Sequence, residues 1–435
     1  MPTTTDQLTQ AVEWHKSGRL PEAEAVYRDV LAADPNNADA LHMLGVLASQ
    51  RGHTELALSC LSRAISLNPT PAFYHNNLGN VLFQSGRLAD AALCYEEALR
   101  LDPNYPEAHG NLANTCDRLG RFPDALAHRL EVARLRPELS SSYAELGNTL
   151  RIQGMLSEAL TCFGQALAID PDNAEAHMGR AFTLLLAGDL AAGWLEYEWR
   201  WKTPCWAARA FTEPLWDGSP LDGRTILIYA ESGLAQTVQF ARYLPIVAER
   251  GGRVVFECQP ELAPLMRGMP EVSEVVVAGS PLPPFELQAP LGSLPRILGT
   301  TADAIPAQAP YLRTPKRRVR TGTVGISWPG DVTVIEPLFE VPGIRFVTLA
   351  ETEDLADLAD AISDLDLVIA ADGVTAHLAG ALGVPVWTLL PFTPDWPWML
   401  GRDDSPWYPS MRLFRQPLAG DWAPAVAQVR EALLK

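Results

Sequence analysis

The feature that most constrains this chain of 435 residues is a recurrence every 34 positions. Pro35, Pro69, Pro103, Pro137 and Pro171 keep that step, and so do Gly18, Gly52, Gly86, Gly120, Gly154 and Gly188. Ala23, Ala57, Ala91, Ala125 and Ala159 form a third series. Gly45, Gly79 and Gly147 alternate with Ala113 and Ala181 in a fourth. Tyr27, Tyr95, Phe163 and Tyr197 fill an aromatic slot, with Leu61 and Arg129 as exceptions. A period of this size marks a stack of supersecondary units that bury their apolar faces on one another. The residue types say what each unit is. Small residues let two helices cross closely, glycine turns the chain between them, and proline stops the second helix. Five units are complete. A sixth carries Gly193 in the alanine slot and lacks the closing proline, so it reads as a cap or as the joint to the next domain.

The pattern resembles the tetratricopeptide repeat over about residues 4–207, which implies an α-solenoid whose first helices line one face. On those helices Asn77 and Asn80 are three apart, as are Asn111 and Asn114, and Asn148 continues the second series. Residues three apart share a helical face, so the amides form two rows. An amide donates and accepts, and a row of amides can hold an extended peptide backbone without reading its side chains. The alternative is that these amides bond only to neighbouring repeats. The rows resemble the asparagine ladder of eukaryotic O-linked N-acetylglucosamine transferases, which implies a polypeptide partner.

Composition excludes several classes. The net charge is −18 and neither half of the chain is basic, so a nucleic-acid surface is not expected. No apolar run approaches the roughly 20 residues of a membrane span, and the polar start, Met1 to Gln10, does not read as a signal peptide. Cys60, Cys94, Cys116, Cys162, Cys205 and Cys258 form no C-x-x-C pair and read as thiols in a reducing cytoplasm. No metal-ligand cluster or phosphate-loop motif appears, so neither a metal nor a resident cofactor is expected.

Trp194, Tyr197, Trp199, Trp201, Trp206, Phe211 and Trp216 crowd the region after the repeats, and aromatics so dense need a packing partner. Beyond Asp222 the pattern alternates strand and helix. Strands are expected at 224–230, 253–258, 274–278, 323–328, 345–350, 366–371 and 385–390, and helices at 237–250, 260–268, 355–363, 375–382 and 422–434. The organisation read here is a repeat array over 1–207, an aromatic joint over 208–222, and two α/β halves over 223–315 and 316–435. A linker with Lys316, Arg317, Arg318 and Arg320 separates the halves. Facing α/β halves hold ligands at the carboxyl ends of their strands.

The stretches Tyr229–Leu234, Gln239–Pro245, Asp372–Trp387 and Asp395–Gln416 resemble bacterial tetratricopeptide-linked glycosyltransferases, relatives of the lipopolysaccharide heptosyltransferases, some of which modify flagellin. The resemblance implies a GT-B pair of Rossmann-type domains, here with a reduced second half. It also implies a nucleotide-sugar donor and metal-free chemistry. Asp372 ends a strand, Gly373 offers a tight turn, and Thr375, as N-cap, and His377 open a helix whose N-terminus suits a diphosphate. Ser327 and Trp328, at the end of another strand, join the expected donor site.

Departures from the family are visible. Ala235-Gln236 stands where members have Gly-Asp, which removes the expected general base and leaves Glu231 as the substitute. Gly373 and Pro397 also differ from the family pattern. Between Trp328 and Arg345, three prolines (Pro329, Pro337 and Pro342) leave little room for a crossover helix, and residues 329–344 hold no Lys or Arg. The seven carboxylates from Glu351 to Asp366 read as a solvated helix face. Two functions fit these residues. One is a cytoplasmic protein glycosyltransferase that captures a polypeptide and moves a sugar to Ser or Thr, with Glu231 and Asp372 in catalysis. The other is a non-catalytic adaptor with a degenerate transferase domain.

Overall fold

The computed structural model describes residues 3–204, 206, 209–314, 322–349 and 354–435. The basic linker, Cys205 and the first acids of the carboxylate run lie outside these residues. By packing, the chain divides into two compact units: residues 1–150 with 168–170, and residues 151–167 with 171–435.

Twelve helices, α1 to α12, follow one another in the order the period demands. They are Thr4–Lys16 and Leu20–Ala33, Ala38–Gln50 and Thr54–Leu67, Ala72–Gln84 and Leu88–Leu101, Pro106–Arg118 and Phe122–Leu135, Ser140–Ile152 and Leu156–Ile169, and Ala174–Ala187 and Leu190–Tyr197. The turn glycines Gly18, Gly52, Gly86, Gly120, Gly154 and Gly188 all sit at φ between 73° and 90°, where an L side chain is strained. The small residue of the first helix meets the large slot of the second. A Cβ on Gly79 would come within 2.6 Å of Tyr95 Cε1, and one on Gly45 within 2.8 Å of Leu61 Cγ. That contact is why the two series share one period.

A further series ties three of these prolines to the helix that follows. His75 Nε2 lies 2.9 Å from Pro69 O, His109 Nε2 3.1 Å from Pro103 O, and His177 Nε2 3.0 Å from Pro171 O. A proline carbonyl just before a helix is thereby satisfied by a ring N–H. The histidines at 75, 109 and 177 are one and two periods apart in sequence, a signal the residue-type reading passes over.

In the second unit, β1 (Thr225–Tyr229), β2 (Arg253–Cys258), β3 (Glu274–Val277) and β4 (Leu287–Pro290) form a parallel sheet in the order β3-β2-β1-β4. A second parallel sheet has the order β6-β5-β7-β8-β9, built from β5 (Thr323–Ser327), β6 (Arg345–Thr348), β7 (Leu367–Ala371), β8 (Val386–Leu390) and β9 (Met411–Arg415). Both orders reverse once, between β1 and β4 and between β5 and β7. These are the switch points where doubly wound sheets hold ligands. The edge strands β4 and β9 were not expected, since each borders proline-containing loops. The helix expected over 237–250 is broken: Leu234–Phe240, a 3-10 turn, then Leu244–Ala248 with Pro245 in its first turn. The β5–β6 crossover is reduced to a 3-10 turn and the four-residue helix Glu336–Phe339, as its prolines require.

One continuous core joins α11, α12 and both sheets, with Leu185, Trp194, Ile226, Phe256, Val368 and Val386 among its members. Trp194 is its keystone: its ring centroid lies 5.2 Å from Trp396, 6.0 Å from Phe240 and 6.4 Å from Trp407. The aromatic-rich stretch therefore packs into the α/β core, while Trp201 and Phe211 cover the other face of the first sheet. Arg242, 3% exposed, links the halves: it donates to Gln239 O, Pro306 O and Trp407 O and lies 4.6 Å from the Tyr408 ring centre. Trp194→Ala is expected to cost about 3–5 kcal/mol, as a large core aromatic removed without a replacement. Urea titration followed by far-ultraviolet circular dichroism checks this. A midpoint within error of wild type would show that the core does not depend on this side chain.

Candidate functional site

At the first switch point, Glu231 follows β1 by two residues. Its carboxylate accepts from Gly292 N–H at 3.0 Å and from Arg200 Nη2 at 3.0 Å. Arg200 is fully buried between the rings of Tyr197 and Trp201 and also donates to Ser293 Oγ and Glu198 Oε1. Burial pushes the Glu231 carboxyl up, while Arg200 and the Gly292 N–H pull it back. A Cβ on Gly292 would lie 2.6 Å from Glu231 Oε1, so the glycine makes room for this carboxylate. The ion pair is with the segment that closes the last repeat and is made by Oε1, while Oε2 has a 3.3 Å contact with the Gly292 N–H. Ala235 and Gln236 sit half-buried in the first turn of the following helix, whose N-cap, Gly233, makes no side-chain cap bond.

At the second switch point, Ser327 ends β5, and its Oγ lies 3.3 Å from Thr375 Oγ1, at the start of the helix Val374–Ala381. These two expected residues meet. Trp328 does not join them: successive strand residues face opposite ways, and its ring packs edge-on to Trp422, 4.9 Å away, on the other side of the sheet. The N-cap is Gly373 rather than Thr375, which lies one position inside the helix. Gly373 is extended (φ 165°, ψ −176°), and a Cβ there would meet nothing within 4 Å, so the tight glycine turn expected there is not what the backbone makes. His377 is 3% exposed. Its Nδ1 is 2.9 Å from Tyr408 OH, its ring lies 4.8 Å from Trp398, and burial holds it down at about 3. A neutral, buried imidazole supplies no cation to a diphosphate. Pro397, in the turn Trp396–Trp398, is buried in the same aromatic cluster.

Asp372 is the titratable group this site leaves open to chemistry. Burial pushes its carboxyl up to about 6; the Trp398 indole pulls it back, and Asp395 adds a like charge. The surrounding core holds an unusual density of polar atoms without protein partners. Among the described residues, the indole N–H groups of Trp194, Trp396 and Trp407 and both polar atoms of the fully buried Gln239 have no hydrogen-bond partner. Among the described residues no group of three or more His, Cys, Asp and Glu is placed to hold a metal ion, and no helix is long and apolar enough to cross a membrane.

In the first unit, the first-helix face carries a polar groove of about 490 Å³ lined by Asn76, Asn77, Asn80, Glu107, Asn111, Asn114, Arg136, Ser141 and Glu145, among others. Four of the five expected amides lie here. Asn148, half-buried, continues the phase outside the groove lining. The amides do bond between repeats: Asn111 Nδ2 donates to Asn76 Oδ1 and Asn80 Oδ1 at 3.0 Å each, and Asn80 Oδ1 also accepts from Tyr95 OH. Asn77 Nδ2 lies 2.8 Å from Nε2 of His42, whose ring burial holds neutral at about 4. Arg129, in a slot otherwise aromatic, donates to Asn114 Oδ1 at 2.8 Å, Asp117 Oδ2 at 2.9 Å and Glu145 Oε2 at 2.7 Å. The neighbour-bonding and peptide-holding readings are therefore compatible, because each amide spends only one of its two ends.

The fold is thus a tetratricopeptide-repeat solenoid followed by two parallel-stranded α/β sheets of Rossmann type. Models of the tetratricopeptide repeat match residues 15–76 and, as a TPR repeat, residues 79–120 and 147–188. Protein FlbA of Caulobacter vibrioides is 29% identical over 331 residues, which take in 60% of this chain and 55% of FlbA, so the chain spans little more than half of that relative. Among solved structures, MamA is 25% identical over 38% of this chain and 96% of its own, with a TM-score of 0.35. PilF of Pseudomonas aeruginosa is 20% identical over 46% and 92%, at 0.41. YrrB, described as a TPR protein with an unusual peptide-binding site, is 20% identical over 40% and 91%, at 0.37.

The Asp372 carboxyl titrates near 3.8 in an unfolded chain and near 6 here. Between these values the folded state binds the extra proton, so stability falls as pH rises from about 4 to about 6, and the loss is complete above that. Asp372→Asn removes the titration. The variant is expected to exceed wild type by about 1–3 kcal/mol at pH 7.5 and to converge with it near pH 4. Thermal melts across this range test the sign; parallel curves would mean that Asp372 is not held in this state.

Proposed function

We propose that the repeat array binds an extended polypeptide along its first-helix face and that the α/β unit is a GT-B-type module that transfers a sugar from a nucleotide sugar to a Ser or Thr hydroxyl. The observation that carries this reading is the amide groove, whose inter-repeat bonds leave Oδ1 of Asn77 and Asn111 and Nδ2 of Asn80 and Asn114 uncommitted. Free acceptors and free donors on two rows match the alternating N–H and C=O groups of an extended backbone. In the α/β unit the donor diphosphate belongs at the N-terminus of the helix Val374–Ala381, beside Ser327 and Thr375. Asp372 takes the proton of the acceptor hydroxyl, in place of Glu231, which is committed to Arg200. A carboxyl near 6 is well matched to that task at neutral pH. The sequestered Glu231 and His377 favour a second reading, an adaptor that binds polypeptide without turnover.

Two measurements on the full chain separate these. Asn77→Ala with Asn111→Ala should weaken an unstructured peptide's binding about tenfold, at roughly 0.5–1.5 kcal/mol per lost hydrogen bond, while the helical signal holds. Calorimetry against a panel of nucleotide sugars should show a donor, and transfer to peptide should fall about a hundred- to ten-thousand-fold in Asp372→Asn. Failure of any donor to bind at millimolar concentration would leave the adaptor reading.

A further inference from the structure

The groove of the first unit has a direction and a charge that the amide rows alone do not imply. Asn114 could present either end of its amide to the groove, but Arg129 has no acceptor and must take Oδ1. The Nδ2 end of Asn114 is thereby held as a donor. Asn80 is turned the same way, since its Oδ1 accepts from Tyr95 OH and Asn111 Nδ2. The row Asn80–Asn114 is a row of donors; in the other row Asn111 presents Oδ1 as an acceptor, because its Nδ2 is taken by Asn76 and Asn80. The next position of that row, 34 residues after Asn111, is Glu145, which lines the same groove. Its side chain is half exposed, and only Oε2 is bonded to Arg129.

The charges around that point do not cancel. Arg129 carries one positive charge and faces two carboxylates, Asp117 and Glu145. Glu107 is paired with Arg136, so that pair is neutral. The groove therefore keeps about one net negative charge at the end of the Asn77–Asn111 row. We propose that the occupant is an extended peptide bearing a Lys or Arg side chain that meets Glu145. Arg129 acts as a positioning residue that fixes the donor face of Asn114 and the place of Glu145. This inference rests on the peptide-binding reading above and adds selectivity to it.

The test uses the full-length protein and four fluorescein-labelled decapeptides, capped at both ends and built from Ser, Ala and Thr. Three differ only in one central residue, Lys, Ala or Glu; the fourth carries the Lys and N-methylated backbone amides. Polarisation at low salt should rank Lys over Ala over Glu, with about five- to tenfold between Lys and Glu, in keeping with a half-exposed ion pair. The gap should shrink at 0.5 M salt. Glu145→Gln should bring the Lys and Glu peptides to equal affinity. The N-methylated peptide should bind worst. Equal binding of the Lys, Ala and Glu peptides by wild type would overturn the charge selectivity and leave the peptide groove standing. Binding of none of the four would overturn the groove itself. A ranking that persists in Glu145→Gln, with circular dichroism unchanged, would overturn the assignment to Glu145.

Discussion

The second unit depends on side chains from the end of the repeat series being buried among two α/β sheets. Trp194 closes an aromatic cluster with Phe240, Trp396 and Trp407, and Arg200 crosses into the switch point of the first sheet to pair with Glu231. A fully buried guanidinium is costly unless its charge is met, and here two carboxylates, a serine hydroxyl, a carbonyl and two ring faces meet its Nη1 and Nη2 end, while Nε has no partner among the described residues. Truncating either partner would strand the other as an uncompensated buried charge. The last repeat is thus a structural part of the α/β unit, which accounts for its degenerate features. Gly193 sits where a Cβ would lie 2.6 Å from Leu185 Cδ2, a closer crossing than alanine allows.

This arrangement settles how the two switch points differ chemically. At the first, an internal carboxylate takes the backbone N–H of Gly292 and the arginine that an anionic ligand would otherwise use. At the second, the helix Val374–Ala381 has no side-chain cap and no acid in its first turn, and Asp372 precedes it with its carboxyl raised by burial. His377 contributes there by packing: hydrogen-bonded to Tyr408 and wedged against Trp398, it fixes the aromatic wall.

The first unit shows the same economy of residue types in another form. One period serves helix crossing, turn formation and groove lining together. Substitutions within it change chemistry locally without disturbing the stack. Arg129 replaces an aromatic, yet stays 8% exposed because three acceptors surround its head, and in doing so it orients Asn114. Glu145 replaces an asparagine and brings charge to a row of neutral amides.

Local rules were enough to read the repeats, their turns and the amide rows, because each rests on contacts between residues a fixed distance apart in sequence. The buried strands β1, β5, β7 and β8 were legible for a similar reason, as runs of apolar residues. Strands β4 and β9 were not, since Pro283, Pro284 and Pro290 break up the first run and Arg412, Arg415, Pro409 and Pro417 the second. Nor could the sequence show that Glu231 is spent on Arg200, that Trp328 faces away from Thr375, or that His377 lies under Trp398. Each of these depends on which face of a sheet a residue takes and which distant segment covers it. The 34-residue period determined the array by itself; the state of every charged or aromatic side chain at the candidate site was decided by tertiary burial, which sets both its partners and its protonation.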